Sequence, residues 1–314
     1  LWKNNLETMK KRIILIIGLA SFLFSVYPLK AESISFKISY NTASKSKSDL
    51  NTWIESYNSL WNDWRSKWGG QLSGQLVPIN YGPKYEVEIR IPVFFGLSLN
   101  LAGSSFSNAK EGTIQFVDST GDQTEKDFIR NEVKGFPIKI GFSYIHPLPF
   151  LENLYVFGGI GRHITFLKYT YLQDYELSIS NITYILTKEN SYNSEALGIY
   201  ATLGFEYDLI KNIAVVAEAE KVWSKADGFK GEYTSELIDP VEDTHTKDSG
   251  KASLYFYENK QWWNDKYYFA FAGHEISPEE PDDYPTGVVD IQNLRQGEFD
   301  LSTFSFKIGF RFKF

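Results

Sequence analysis

Between Phe304 and Phe314 the chain alternates without a break. Phe304, Phe306, Ile308, Phe310, Phe312 and Phe314 take the even positions, and Ser305, Lys307, Gly309, Arg311 and Lys313 the odd ones. A period of two predicts a β-strand. One face of phenylalanine and isoleucine beside a face with three cations suits lipid outside a barrel and a polar lumen inside it. The same pattern recurs upstream in Ile34–Tyr40, Tyr85–Ile91, Leu97–Ala102, Phe136–Tyr144, Leu197–Tyr207 and Ile213–Glu220. Leu154–Tyr171 supplies one more strand, although Gly158-Gly159-Ile160-Gly161 leaves its phase open. Eight strands are therefore predicted.

The connections sort by length. Those around Pro92-Val93-Phe94, from Pro147 to Asn153 and from Asp208 to Asn212 are short, within hairpin range. The other four, near 42–83, 106–133, 172–194 and 226–300, are long, and short and long alternate strictly. An antiparallel up-and-down transmembrane β-barrel with short periplasmic turns and long extracellular loops produces that order, and closure removes the exposed edges. The predicted fold is all-β, with residues 32–314 forming the barrel and large outer loops near 42–83 and 226–300.

Composition agrees with this reading. Aromatics are 17% of the 314 residues and charged residues 23%, and mean hydropathy is −0.29. That is too apolar for disorder and too polar for a bundle of membrane helices. There is no cysteine, which excludes disulfides, thiolate metal sites and a lipidated N-terminal cysteine. A net charge of −7 gives no support to nucleic-acid binding. Residues 1–31 read as an N-terminal extension followed by a cleavable signal peptide. Met9-Lys10-Lys11-Arg12 precedes the apolar run Ile13–Val26, which is short for a spanning helix. Met9 is the expected start and cleavage is expected after Ala31, placing the mature chain in the cell outer membrane.

In a barrel of this size side chains fill the lumen. The inward charges are Lys37, Arg90, Lys139, Lys307, Arg311 and Lys313 against Glu86, Glu88, Glu206, Glu218 and Glu220. Six against five is close to neutral, and buried charges must pair; no single-sign ring of the kind that selects ions is present. The first long loop carries Trp53, Tyr57, Trp61, Trp64 and Trp68 at helical spacing, with Asp49 as N-cap and Gly69-Gly70 as the stop. This stripe suits a helix that caps the barrel mouth, or one that rests on the outer leaflet or grips a ligand. Residues 227–299 hold 16 acidic and 6 basic residues, a net of −10, so the remainder sums to +3. Within them, Leu254–Tyr257 and Tyr267–Phe271 predict a hairpin. The carboxylates Glu275, Glu279, Glu280, Asp282 and Asp283 match no cation-loop spacing and read as a solvated acidic run. No metal or cofactor site is expected. Nor is an enzyme: the histidines His146, His163, His245 and His274 have no defined nucleophile beside them in sequence.

The alternating C-terminal strand ending in Phe314, Ile138-Lys-Ile-Gly-Phe-Ser-Tyr144 leading into Pro147-Leu-Pro-Phe150, Leu154-Tyr-Val-Phe-Gly-Gly-Ile-Gly161 and Gly204-Phe-Glu-Tyr207 together resemble small outer-membrane β-barrels of the OmpX-like, opacity-protein-like and OmpA transmembrane-domain-like group. The fourth long connection is far larger than that group's pattern. The resemblance implies a porin-like barrel of a Gram-negative envelope, in which Phe310, Phe312 and Phe314 belong to the signal read by the barrel-assembly machinery. The expected function is structural or surface-interactive: envelope integrity, adhesion or ligand contact through the outer loops. The expected partners are outer-membrane lipid, the assembly machinery and an extracellular ligand. The alternatives are a narrow passive channel for small or apolar solutes and, third, a lipid-modifying barrel hydrolase.

Overall fold

The computed structural model describes residues 34–43, 48–80, 82, 85–94, 96–148, 151–260, 266–272 and 291–314. The predicted signal peptide, His274 and the carboxylates from Glu275 to Asp283 lie outside the described residues. In chain order the elements are β1 (Ser35–Ala43), α1 (Asp49–Trp68), β2 (Gln71–Gly74), β3 (Tyr85–Phe94), β4 (Leu97–Ser104), β5 (Phe106–Val117), β6 (Gln123–Pro147), β7 (Leu154–Ile179) and β8 (Ile182–Ile210). There follow β9 (Ile213–Ala226), β10 (Lys230–Asp239), β11 (Thr244–Ser253), β12 (Tyr255–Lys260), β13 (Tyr267–Ala272), β14 (Ile291–Gln296), β15 (Phe299–Asp300) and β16 (Thr303–Lys313).

Eight of these strands close a ring in the order β1, β3, β4, β6, β7, β8, β9, β16, every neighbour antiparallel. The fold is an eight-stranded up-and-down barrel. Register is set by the period-two pattern, because a slip of one residue would turn every lumen charge outward. Thus Lys37 stands beside Glu88 on β3 and Arg311 on β16, and Lys307 beside Glu218 on β9. Inside, Gly141 and Gly161 face each other across β6 and β7, and a Cβ on either would collide with Tyr200. Their bare backbones let that ring lie across the lumen.

Outside, the barrel wears a belt of exposed apolar side chains, including Ile38, Ile89, Phe142, Ile160, Leu203, Phe205, Phe306, Ile308 and Phe310. Tyr40 and Tyr85 pack edge to face at its upper rim. Two turns are tighter than the sequence suggests. β3 runs on through Phe94 and β8 through Ile210, so Pro92-Val93-Phe94 and Asp208–Ile210 belong to strands.

The long connections depart furthest from expectation. Residues 106–133 and 172–194 are not loops. β5 pairs with β6 from Phe106↔Gly135 to Val117↔Thr124, and β7 pairs with β8 up to Ile179↔Ile182, so the barrel wall continues outward as tall hairpins. The β4–β5 run against β6 is broken between Gly103↔Ile138 and Phe106↔Gly135, where Pro137 has no N–H to give. The described parts of the connection 226–300 are likewise folded. β10 and β11 extend the main sheet from β8, and β12 forms a second sheet with β13 and β14. The predicted hairpin of Leu254–Tyr257 with Tyr267–Phe271 is the β12–β13 pair.

Along the tall hairpins the two faces exchange character. Going outward on β6, the outer face runs Tyr144, Phe142, Ile140, Ile138, Phe136 and then Lys134, Glu132, Arg130. The inner face runs Ser143, Gly141, Lys139 and then Val133, Asn131, Ile129. β8 switches at the same level, where Leu197 gives way to Glu195 beside Phe166 and Phe136. Above that level a second core fills the inside, built from Ile114, Phe116, Ile129, Val133, Leu167, Tyr169, Tyr192 and Phe229.

α1 closes this upper tier, with Leu50, Trp53, Ile54 and Trp61 buried. Its N-cap is Ser48, whose Oγ accepts from Asn51 N. Asp49 instead sits in the first turn, where its carboxylate pairs with Arg295 at 2.6 Å and accepts Glu298 N at 2.8 Å. Gly69, at φ 73°, ends the helix as expected. One turn pair further on, Asn58 accepts Leu76 N at 2.8 Å and donates to Leu76 O at 2.9 Å. Asn51 does the same for Ile79, so two amides bind the returning chain along the helix.

Candidate functional site

The features that bear on function are stacked along the barrel axis: a charged lumen, a small cavity above it and the aromatic cap. In the lower lumen Glu206 contacts Arg90 at 3.0 Å, Arg311 at 3.0 Å and Lys313 at 2.9 Å. Glu88 contacts Arg311 at 2.8 Å and Lys37 at 2.9 Å, and Lys37 passes on to Glu218 at 2.7 Å. Above them Lys307 touches Glu86 at 2.7 Å, Glu218 at 3.1 Å and Glu220 at 2.7 Å, while Lys139 bonds both Glu86 and Glu220. Lys37, Glu86, Glu88, Arg90, Lys139, Glu206, Glu218, Glu220, Lys307 and Arg311 are all buried, and each has an opposite charge within salt-bridge reach.

Contacts of this kind reach beyond adjacent strands. They join β3 to β8 on opposite sides of the ring, β6 to β9, and β1 to β9 over the intervening β16, so the charges form one cross-braced network and not separate neighbour pairs. Carboxylate oxygens of Glu86, Glu218 and Glu220 approach within 4.8 Å of one another, close enough to share a metal ion. The Lys307 ammonium already contacts all three, so a cation there would have to displace it.

Over this network lies a cavity of about 40 Å³, bounded by Asn41, Lys139, His163 and Glu220 below and by Phe106 and Leu301 above. It has room for a few waters. His163 Nδ1 and Asn41 Oδ1, both in buried residues, have no hydrogen-bond partner among the described residues, while His163 Nε2 lies 3.3 Å from Thr165 Oγ1. Of the other histidines, His146 stacks on Tyr144 near the short turns, and His245 pairs with Glu236 on the exposed β10–β11 hairpin.

The predicted aromatic stripe is divided by its surroundings. Trp53 and Trp61 are buried, Tyr57 and Trp64 are half-buried against the upper core, and Trp68 is exposed with Lys67 over its ring. Trp53 meets Tyr171 edge to face across the mouth. The N-terminal part of the stripe, Trp53 to Trp61, therefore caps the barrel, while Trp68 at its end stays exposed. The C-terminal aromatics lie on the outside, with Phe310 and Phe314 exposed and Phe312 paired with Phe36.

A second polar cluster, which sequence reasoning missed, sits beneath α1. Asp127 is fully buried and accepts from Tyr57 Oη and from Gln173 Nε2 at 3.0 Å and 3.1 Å. Next to it on the same face of β6, Glu125 accepts from Tyr175 Oη at 2.9 Å and Gln123 Nε2 at 2.7 Å. Burial raises the pKa of both carboxyls and of Tyr57, and lowers that of nearby Lys188. The signal was present in the sequence: residues 125 and 127 share the odd phase of Lys139, Gly141 and Ser143, and so face inward.

No family profile matches the chain, and no curated protein matches it. Among solved structures it is similar to the crystal structure of the outer membrane protein OprG from Pseudomonas aeruginosa, at 12% identity and a TM-score of 0.34, over 91% of this chain and 97% of that one.

Proposed function

We propose that this chain is an integral outer-membrane barrel that serves through its architecture and its outer surface, without conducting ions. Support for membrane insertion comes from the apolar belt. From Phe304 on β16 to Phe314 just beyond it, the extended chain spans about 34 Å at roughly 3.4 Å per residue. At a tilt near 40° this is about 26 Å along the membrane normal, close to the apolar height of outer-membrane barrels. The switch from Phe136 to Lys134 and from Leu197 to Glu195 then marks the outer water boundary. On this reading the belt meets outer-membrane lipid, residues 1–31 direct export, and Phe310, Phe312 and Phe314 meet the assembly machinery. The outer tier offers a surface for an extracellular ligand.

The observation that carries the non-conducting role is the cross-braced lumen. Ten buried charges are mutually paired beneath a 20-residue helix. Moving an ion through would require breaking several buried pairs at once, at several kcal/mol each. A passive channel for small solutes is the competing role, and a catalytic role would need a nucleophile brought to the buried His163. Liposome swelling with small sugars separates the first two. The proposed role predicts swelling no faster than protein-free vesicles, and rapid swelling would transfer the assignment to the channel.

A further inference from the structure

The cluster under α1 has an arrangement that a purely structural cap does not need. Asp127 is the most deeply placed carboxyl of the upper tier, and its described hydrogen-bond partners are both neutral, the Tyr57 hydroxyl of α1 and the Gln173 amide of β7. The titratable groups facing it are Tyr57 from α1, Glu125 from its own strand, Tyr171 and Tyr175 from β7 and Lys188 from β8. Among them only Lys188 is cationic, and it acts at a distance, since no ion pair joins it to Asp127 among the described contacts. The lumen is built the opposite way, with every described carboxylate in contact with a cation. For a buried carboxyl with no cation in contact, neutral donors such as Tyr57 and Gln173 offset only part of the cost of burying the anion, and the acid form is favoured.

We propose that Asp127 makes α1 a proton-dependent latch, docked most firmly over the barrel mouth in acid and loosened as the medium becomes neutral. The hydroxyl of Tyr57 is the only described polar contact between the helix and this carboxyl, so the charge on Asp127 acts on the docking of α1 directly. Burial raises the folded-state pKa of Asp127 above its ordinary value. A group shifted upward adds its full stabilisation below the ordinary carboxyl pKa and loses it as pH climbs through the raised value. Loosening would uncover Trp53, Trp61, Phe116 and Tyr171, an aromatic surface otherwise sealed. The latch holds whether or not the lumen conducts, because it concerns the upper tier alone.

The test is amide hydrogen exchange across residues 49–68 in the full-length protein in detergent micelles, with Asp127→Asn measured beside the wild type at each pH. Taking the ratio of the two rates cancels the chemical pH dependence of exchange. The ratio of wild type to Asp127→Asn is expected near one at about pH 3, below the ordinary carboxyl pKa, and to rise at least about threefold by about pH 7.5. A ratio that stays flat overturns the proposal. Glu125→Gln should leave the pH dependence in place, and its disappearance in that variant would also overturn the assignment to Asp127. Should Asp127→Asn fail to fold, Tyr57→Phe serves instead. Loss of the donor disfavours the docked anion and raises the docked-state pKa further, so the fall in protection of α1, corrected for chemical exchange, should extend to a higher pH than in the wild type. A fall that ends at the same pH in both proteins contradicts the latch.

Discussion

Lys307 shows how much depends on single side chains in the lumen. Its ammonium is fully buried and contacts Glu86, Glu218 and Glu220 on two different strands. Replacing it by methionine keeps the volume but leaves three carboxylates facing one another. Lys307→Met should lower the unfolding free energy by about 3–5 kcal/mol, seen as an earlier urea midpoint in micelles. Glu218→Ala combined with Glu220→Ala leaves Lys37 with Glu88 alone and Lys307 with Glu86 alone, and is expected to reduce stability more than it changes conductance. A new ion selectivity with unchanged stability would speak against that. The pair Lys126–Glu176 at 3.6 Å is half exposed outside the belt. Lys126→Ala should shift the midpoint by no more than about 1 kcal/mol, as surface pairs do.

At the scale of the element, one strand passes through two solvents. Leu203 and Leu237 are both exposed, at 62% and 41%, so a water-soluble protein would treat them alike. Leu203 lies midway along the belt on β8, and Leu237 lies on β10 above the boundary. Leu203→Arg is expected to destabilise by about 2–4 kcal/mol in a lipid-reconstituted sample, and Leu237→Arg by less than about 0.5 kcal/mol. Equal effects would remove the lipid from the account. The same change of solvent explains what was legible in the sequence. Within the belt, alternation identifies most strands and their inward charges, because the outside is largely apolar and the inside largely polar, with Arg162 on the outer face and Phe157 and Val216 on the inner one as exceptions. Above Phe136 the strands keep their alternation but reverse its sense, so a search for apolar outer faces stops there and takes 106–133 and 172–194 for loops. The partners of each charge were hidden for another reason. Arg90–Glu206 crosses the lumen and Lys37–Glu218 passes over the strand between its two partners, and such contacts follow from closure and tilt, not from spacing along the chain.

The whole molecule is two cores on one axis. The lower is ionic inside and apolar outside, the upper apolar inside and charged outside, and β5 to β8 with α1 bind them into one body. The acidity of the chain is concentrated in one stretch of sequence, where residues 227–299 carry a net of −10 while the rest sums to +3. If the proposed extracellular ligand is basic and engages this stretch, its association should weaken with salt. On the proposed reading the barrel is closed by its own side chains, and the molecule presents a face to the outside without opening a path through it. Current across a planar bilayer holding the reconstituted wild-type protein measures this most directly. The account predicts no steady current above that of the bare bilayer, and uniform, reproducible channel openings at modest voltage would contradict it.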